Sequence, residues 1–301
     1  MSVTHFRSAS DGSRPKVTTS TIQQKRDAGE RITCLTAYDY ATARLVDEAG
    51  IDMVLVGDSL SMVVLGHENT MAVTVEEMLH HTRAVRRAVK SALLIADMPY
   101  GSYQHNEEEG VRNAIRFVKE AGAEAVKIEG GQSRAALIHR LLDSEIPVQG
   151  HIGLTPQSLH KMGGYKVQGK RMPEVDKLLR DAVALERAGI FSLVLEGIPR
   201  EVAAMITREV SVPTIGIGAG VECSGQVLVI HDLLNLSFTK PAKFVRQYAD
   251  LAGTIRTAVE AFKTDVESGT FPSDGESYHL PKETAEELEA IARQEKVARI
   301  R

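Results

Sequence analysis

The sequence predicts an α/β protein built as one (β/α)8 TIM barrel. Three observations lead there. Eight short runs rich in β-branched residues and leucine, at 31–37, 52–58, 92–97, 124–129, 147–152, 191–196, 213–217 and 226–231, alternate with helix-patterned stretches. Such alternation implies parallel strands joined by right-handed crossovers. The length of 301 residues suits a barrel of about 250 residues with extensions. A doubly wound dinucleotide-binding sheet would carry G-x-G-x-x-G after its first strand, and Tyr38-Asp39-Tyr40 stands there instead.

Taken in order, residues 1–20 read as a disordered leader. The first 19 are rich in Ser and Thr, with Arg7, Arg14 and Lys16 against the single acid Asp11. That composition resembles a mitochondrial transit peptide, but no apolar face recurs at helical spacing. A barrel domain is expected over 21–270 and a C-terminal extension over 271–301. Cys34 lies in the apolar first strand, where a small buried hydrophobe belongs. Gly50, Gly122 and Gly189 each follow an alanine at the end of a helical stretch, where a left-handed glycine closes the helix. Thr74 with Glu77 forms a capping box, and Val75, Met78, Leu79, Thr82, Val85 and Val89 then line one face. Asn106 and Glu109 repeat the pattern ahead of Val111, Ala114, Ile115 and Val118. Residues 154–172 form a glycine-containing loop after the fifth strand, and loops that long are usually functional or disordered. Gly216-Ile217-Gly218-Ala219-Gly220 after the seventh strand resembles a phosphate-binding turn, although no basic residue accompanies it in sequence. Past the eighth strand, Phe244, Tyr248, Leu251, Ile255, Val259, Phe262 and Val266 mark a long amphipathic helix that closes the barrel or packs on another subunit.

Composition excludes several classes. A net charge of -4 gives no basic footprint for nucleic acid. No apolar run approaches the roughly 20 residues needed to span a bilayer. Two cysteines, Cys34 and Cys223, are too few for a disulfide framework, so a reducing cytoplasm is expected.

The chemistry sits at strand ends. Val54-Leu55-Val56-Gly57-Asp58-Ser59, Leu94-Ile95-Ala96-Asp97 and Ala125-Val126-Lys127-Ile128-Glu129 bring three acids to the ends of three consecutive strands. One strand-end acid is explained by a helix cap or a loop salt bridge. Three on strands about 4.8 Å apart repel one another unless a cation sits among them. Oxygen ligands without paired His or Cys favour Mg²⁺ over Zn²⁺, which makes Asp58, Asp97 and Glu129 the candidate metal set. Lys127 shares a face with Glu129, either to neutralise the acids or to stabilise a developing oxyanion. Glu196 ends the sixth strand across the barrel, among apolar neighbours that favour its neutral form, and is the candidate general base. His151, ending the fifth strand between these groups, is a secondary, orienting residue.

Together these segments resemble the ketopantoate hydroxymethyltransferase (3-methyl-2-oxobutanoate hydroxymethyltransferase) family over roughly residues 20 to 280. The match rests on Thr36-Ala37-Tyr38-Asp39, Val56-Gly57-Asp58-Ser59-Leu60, Ala96-Asp97-Met98-Pro99, Val126-Lys127-Ile128-Glu129-Gly130-Gly131, Gly150-His151-Ile152-Gly153-Leu154-Thr155-Pro156-Gln157, Gly163-Gly164-Tyr165-Lys166-Val167-Gln168-Gly169 and Leu195-Glu196. The resemblance implies a barrel of the phosphoenolpyruvate/pyruvate superfamily, Mg²⁺ dependence and a homo-decamer. It implies transfer of a hydroxymethyl group from 5,10-methylenetetrahydrofolate to 3-methyl-2-oxobutanoate (α-ketoisovalerate), giving ketopantoate. It places the metal at Asp58, Asp97 and Glu129, the keto acid at Asp58, Ser59, Asp97 and Lys127, and proton removal at Glu196. Ser61, where the family usually has glycine, and a longer tail past Tyr278-His279 are departures; the first touches keto-acid preference. Two other readings carry different expectations. A Mg²⁺-dependent carbon–carbon lyase of the same superfamily needs a reactive loop cysteine, for which only Cys223 is available. A non-catalytic ligand-binding barrel needs neither Lys127 nor Glu196 at its mouth.

Overall fold

In the computed structural model, which describes residues 14–298, eight parallel strands close into one barrel in sequence order. They are β1 (Ile32–Thr36), β2 (Met53–Val56), β3 (Leu93–Asp97), β4 (Ala125–Glu129), β5 (Val148–Gly153), β6 (Ser192–Glu196), β7 (Thr214–Ile217) and β8 (Gly225–Leu228). The longer helices are α1 (Thr19–Asp27), α2 (Tyr40–Glu48), α3 (Val75–Ala88), α4 (Glu107–Ala121), α5 (Ala135–Asp143), α6 (Met172–Arg187), α7 (Arg200–Glu209), α8 (Leu251–Ser268) and α9 (Lys282–Ala298).

Alternation along each strand divides the core in two. Cys34, Met53, Leu55, Ile95, Ala125, Val194, Ile215 and Val227 fill the barrel interior. Val54, Val56, Leu94, Ala96, Val126, Ile128, Leu193 and Leu195 face outward into the helix layer, the two-sided burial expected of a parallel sheet. The capping box at Thr74 forms as expected, with Glu77 N donating to Thr74 Oγ1 at 3.2 Å and Thr74 N to Glu77 Oε2 at 2.8 Å. Gly50, Gly122 and Gly189 all take left-handed φ, at 83°, 73° and 97°.

The chain departs from the expected rhythm in four places. The segment from Arg14 to Ser20, expected to belong to the leader, is built into the foot of the barrel; residues 1–13 lie outside the described residues. Val17 and Ile22 insert among Ile32, Met53 and Leu93. Arg14 and Lys25 pair with the buried Asp52 at 2.6 and 2.8 Å, and Asp52 also accepts from Thr33 N and Oγ1, both at 2.9 Å. Second, residues 218–224 alone connect β7 to β8, with no helix between them. Gly225 opens β8 against β1 so closely that a Cβ there would lie 2.3 Å from Ile32 O. Third, β8 stops at Leu228, and Ile230 begins a short helix with its N–H on Thr36 Oγ1 at 3.0 Å. Fourth, the helix expected from Phe244 starts at Leu251, where the Asp250 carboxylate caps Gly253 N. Residues from Asp250 onward form a second compact unit, distinct from the unit that ends at Ala249. Within it α8 has no buried residue, and Ile255, Val259, Phe262 and Val266 stand exposed along one side.

Asp52 gives the fold an acid limit. Burial alone would raise its carboxyl, but the hydrogen bonds from Lys25 and Thr33 outweigh it and hold the carboxyl below its ordinary range. A depressed carboxyl contributes stability above its unfolded pKa of about 3.9, and that contribution is lost as pH falls through the lower folded value. Asp52→Asn should therefore cost about 3 kcal/mol at pH 7, the low end for breaking a buried ion pair, and a smaller amount at pH 3. Urea unfolding at both pH values checks this; an equal cost at the two would contradict it.

Candidate active site

The C-terminal mouth of the barrel holds a cavity of about 110 Å³ lined by Asp58, Ser59, Thr70, Asp97, Lys127, Glu129, His151 and Glu196 among others. All seven site residues read from the sequence line this one cavity.

They reach it by different routes. Asp97, Lys127, Glu129, His151 and Glu196 follow the inward phase of their strands, two residues above Ile95, Ala125, Lys127, Gln149 and Val194 respectively. Asp58 does not. By strand alternation it would share a face with Val54 and Val56, which point outward into the helix layer, and Asp58 enters the mouth because β2 ends at Val56 and the Gly57 turn breaks the alternation. A Cβ on Gly57 would lie 2.9 Å from Ser59 Oγ. Gly153, at φ +100°, does similar work opposite: a Cβ there would meet Glu196 O at 2.2 Å.

Lys127 Nζ lies 2.9 Å from Asp97 Oδ1 and 3.9 Å from Glu129 Oε1. The first contact is an ion pair without hydrogen-bond geometry, so Asp97 Oδ1, like Glu129 Oε1 and His151 Nε2, is buried without a hydrogen-bond partner. Asp97 Oδ2 accepts from the backbone N–H of Asp58 at 3.2 Å. His151 joins the two sides of the mouth, with Nδ1 3.4 Å from Glu129 Oε1 and 3.3 Å from Lys127 Nζ, and Nε2 3.3 Å from Glu196 Oε2. Glu196 is thus set against an imidazole, not the apolar surroundings expected for it, and its side chain keeps about one-fifth of its surface, 19 %, exposed. Ser59 Oγ shares a hydrogen bond of 2.8 Å with Tyr38 OH.

The electrostatics follow from burial and crowding. Burial, then Asp97 and Glu129, push the Asp58 carboxyl well above its ordinary range. Burial and Glu129 raise Asp97 despite Lys127. Burial would also raise Glu129, but His151, Lys127 and the Gln157 N–H hold it below its ordinary range. Burial lowers Lys127, yet the surrounding carboxylates more than reverse this and keep its ammonium charged. Burial and Lys127 press His151 down, and the carboxylates of Glu129 and Glu196 outweigh them to raise it to about 9.

The carboxylates of Asp58, Asp97, Glu129 and Glu196 therefore face only Lys127 and His151, and the two with raised pKa, Asp58 and Asp97, mark where positive charge is lacking. Among the described residues no three His, Cys, Asp or Glu side chains stand at ion-holding spacing, so the expected three-carboxylate cage is not preformed. The donors fit a looser site. Mg²⁺ is commonly held by one or two carboxylates with waters and substrate oxygens, and Asp58 and Asp97 could supply such a pair, with Glu129 adding charge beside them.

Sequence reading missed Gln157, Tyr103 and Tyr38. Gln157 bridges Asp58 and Glu129, and Tyr103 holds Gln157. Their positions just past β5, β3 and β1 were the available signal. The 154–172 loop is partly ordered, with turns of helix at Pro156–Ser158 and Leu159–Met162. Ser61 is buried, and its hydroxyl donates to Asn69 O at 2.7 Å, bracing the turn that carries Thr70 to the cavity. Phe244 packs its ring on Gly218 in the glycine-rich turn. Cys223, the cysteine a lyase reading requires, is fully buried and unpaired, and burial raises its thiol pKa.

The fold is a parallel (β/α)8 barrel, and solved barrel structures of low sequence identity share it. The chain superposes on phosphonopyruvate hydrolase in complex with oxalate and Mg²⁺ with a TM-score of 0.56 at 16 % identity, covering 93 % of this chain and 98 % of that one. With 2,3-dimethylmalate lyase the TM-score is 0.55, again at 16 % identity, covering 94 % and 99 %. The sequence profile of the ketopantoate hydroxymethyltransferase family matches residues 16–274. The 3-methyl-2-oxobutanoate hydroxymethyltransferase of Koribacter versatilis is 69 % identical over 278 residues, covering 92 % of this chain and 94 % of the relative. That of Syntrophomonas wolfei is 51 % identical over 273 residues, covering 91 % and 99 %. The chain belongs to the ketopantoate hydroxymethyltransferase family and is a hydroxymethyltransferase.

Proposed function

We propose that this enzyme transfers a hydroxymethyl group from 5,10-methylenetetrahydrofolate to the β-carbon of 3-methyl-2-oxobutanoate, forming ketopantoate for pantothenate and coenzyme A synthesis. The observation that carries this reading is that Asp58, Asp97, Lys127 and Glu196 line one cavity of about 110 Å³. A cavity of that size admits a small keto acid, with the folate donor reaching it from the open side.

Asp58 and Asp97, with Glu129 nearby, would hold Mg²⁺, which supplies Lewis acidity to the carbonyl of a 2-keto acid. Ser59, fixed by Tyr38, and the Lys127 ammonium bind the keto acid. Lys127 is placed to stabilise the negative charge that grows on the keto oxygen as the β C–H is broken. Glu196 takes that proton, and His151 orients its carboxylate through Nε2. The resulting carbanion equivalent forms a C–C bond to the methylene carbon of the donor as one C–N bond to that carbon breaks, and a water molecule supplies the product hydroxyl as the second C–N bond breaks, releasing tetrahydrofolate. The 154–172 segment at the rim keeps water from reprotonating it. Formation of ketopantoate from 3-methyl-2-oxobutanoate, methylenetetrahydrofolate and Mg²⁺ tests the reading; no product under these conditions overturns it.

Two further properties belong to this proposal. The two free cysteines, both buried, suit a cytoplasmic enzyme. The exposed apolar side chains Ile255, Val259, Phe262 and Val266 of α8 support a homo-oligomer, with a decamer as the family expectation. Sedimentation at micromolar concentration should give a mass well above a dimer of the 32.8 kDa chain; a monomer would contradict it.

A further inference from the structure

We propose that Gln157 is the positioning residue of the metal site: its amide fixes the Asp58 carboxylate and ties it to the 154–172 segment. The inference rests on the reading above that Asp58 and Asp97 hold the cation, and it assigns a role to a residue that neither binds nor reacts.

The amide is fully committed. Gln157 is 5 % exposed. Its Nε2 donates to Asp58 Oδ2 at 2.9 Å and to Met98 O at 3.0 Å, which uses both N–H bonds. Its Oε1 accepts from Tyr103 OH at 2.7 Å and from Gln104 Nε2 at 2.9 Å, which uses both lone pairs. A flipped amide would set its oxygen against a carboxylate and a carbonyl and its nitrogen against two donors, so only one orientation is possible. Tyr103 is itself held: its hydroxyl accepts from Glu129 N at 2.9 Å, and the Arg134 guanidinium lies 5.2 Å above its ring. The backbone N–H of Gln157 then donates to Glu129 Oε2 at 3.0 Å.

One residue therefore grips Asp58 by its side chain and Glu129 by its main chain. The hydrogen bond from the amide to Asp58 Oδ2 fixes the plane of the carboxylate that would hold the cation. Asp58 is also the acid with least support of its own, because the Lys127 ion pair goes to Asp97 and the His151 contact to Glu129. Hydrogen-bonded partners of ligating carboxylates contribute 10–100-fold to metal affinity in comparable sites, as an order of magnitude.

Gln157→Met keeps the length of the side chain and removes every donor and acceptor. Calorimetric titration of Mg²⁺ in the presence of oxalate should show Kd weakened about 10–100-fold against wild type. Turnover should be lost at low Mg²⁺ and regained at high Mg²⁺, a recovery that a merely misfolded variant does not show. Tyr103→Phe, which frees the amide without removing it, should weaken Mg²⁺ by a smaller factor and tests the same claim if Gln157→Met does not fold. Wild-type uptake of Mg²⁺ with both variants binding within twofold of it would overturn the role of Gln157 alone. Absence of Mg²⁺ uptake by wild type would overturn the metal reading and this inference together.

Discussion

Glu196→Gln lowers turnover by roughly 10²–10⁴-fold while keto-acid affinity stays close to that of the unaltered enzyme. The size is that of removing a positioned proton acceptor. The amide keeps the volume of the side chain and can still meet His151 Nε2, now 3.3 Å from Glu196 Oε2, so the cavity should keep its shape. Steady-state kinetics check the expectation. A fall confined to kcat supports proton transfer; a rise confined to KM would instead make Glu196 a binding residue.

Asp58→Ala and Asp97→Ala each remove activity without unfolding the protein. Loss of a carboxylate from a two-carboxylate Mg²⁺ site should weaken the ion more than the roughly 100-fold that outer partners supply. Stability should hold for an electrostatic reason. Burial and the neighbouring acids raise the carboxyl pKa of both residues, so their ionised forms are disfavoured by folding, and deleting one relieves repulsion at neutral pH. Mg²⁺ titration with keto acid present, beside thermal unfolding, measures both halves. Unchanged affinity in the two variants would move the metal elsewhere.

Much of this was legible in the chain. Strand positions and the acids at their ends follow from apolar runs and a period of two, which is why Asp97, Lys127, Glu129, His151 and Glu196 land where their phase puts them. Asp58 reached the right place by a route the period did not indicate. Parity with Val54 and Val56 points it outward, and the Gly57 turn reverses that, a change set by close backbone approach and not by pattern. The bare β7–β8 connection was hidden for a related reason: Gly218 and Gly220 signal a turn but do not say that no helix follows. The position of Gln157 just past β5 was visible but its role was not, because that role is a set of four hydrogen bonds to Asp58, Met98, Tyr103 and Gln104. Those partners are remote in sequence, and only the closed barrel brings them together. At the foot of the barrel, composition suggested a loose leader, yet two apolar residues, Val17 and Ile22, and the paired charges around Asp52 suffice to anchor the segment they occupy.

The most direct test of the account is whether this cavity breaks a β C–H bond of a keto acid. In the proposed mechanism proton loss precedes any contact with the one-carbon donor, so it is measured by NMR as exchange of the β-proton of 3-methyl-2-oxobutanoate into D₂O, with Mg²⁺ present and folate absent. The account predicts exchange by the unaltered enzyme and none by Glu196→Gln. Exchange by Glu196→Gln at the unaltered rate would contradict it, and would make His151 the next group to test.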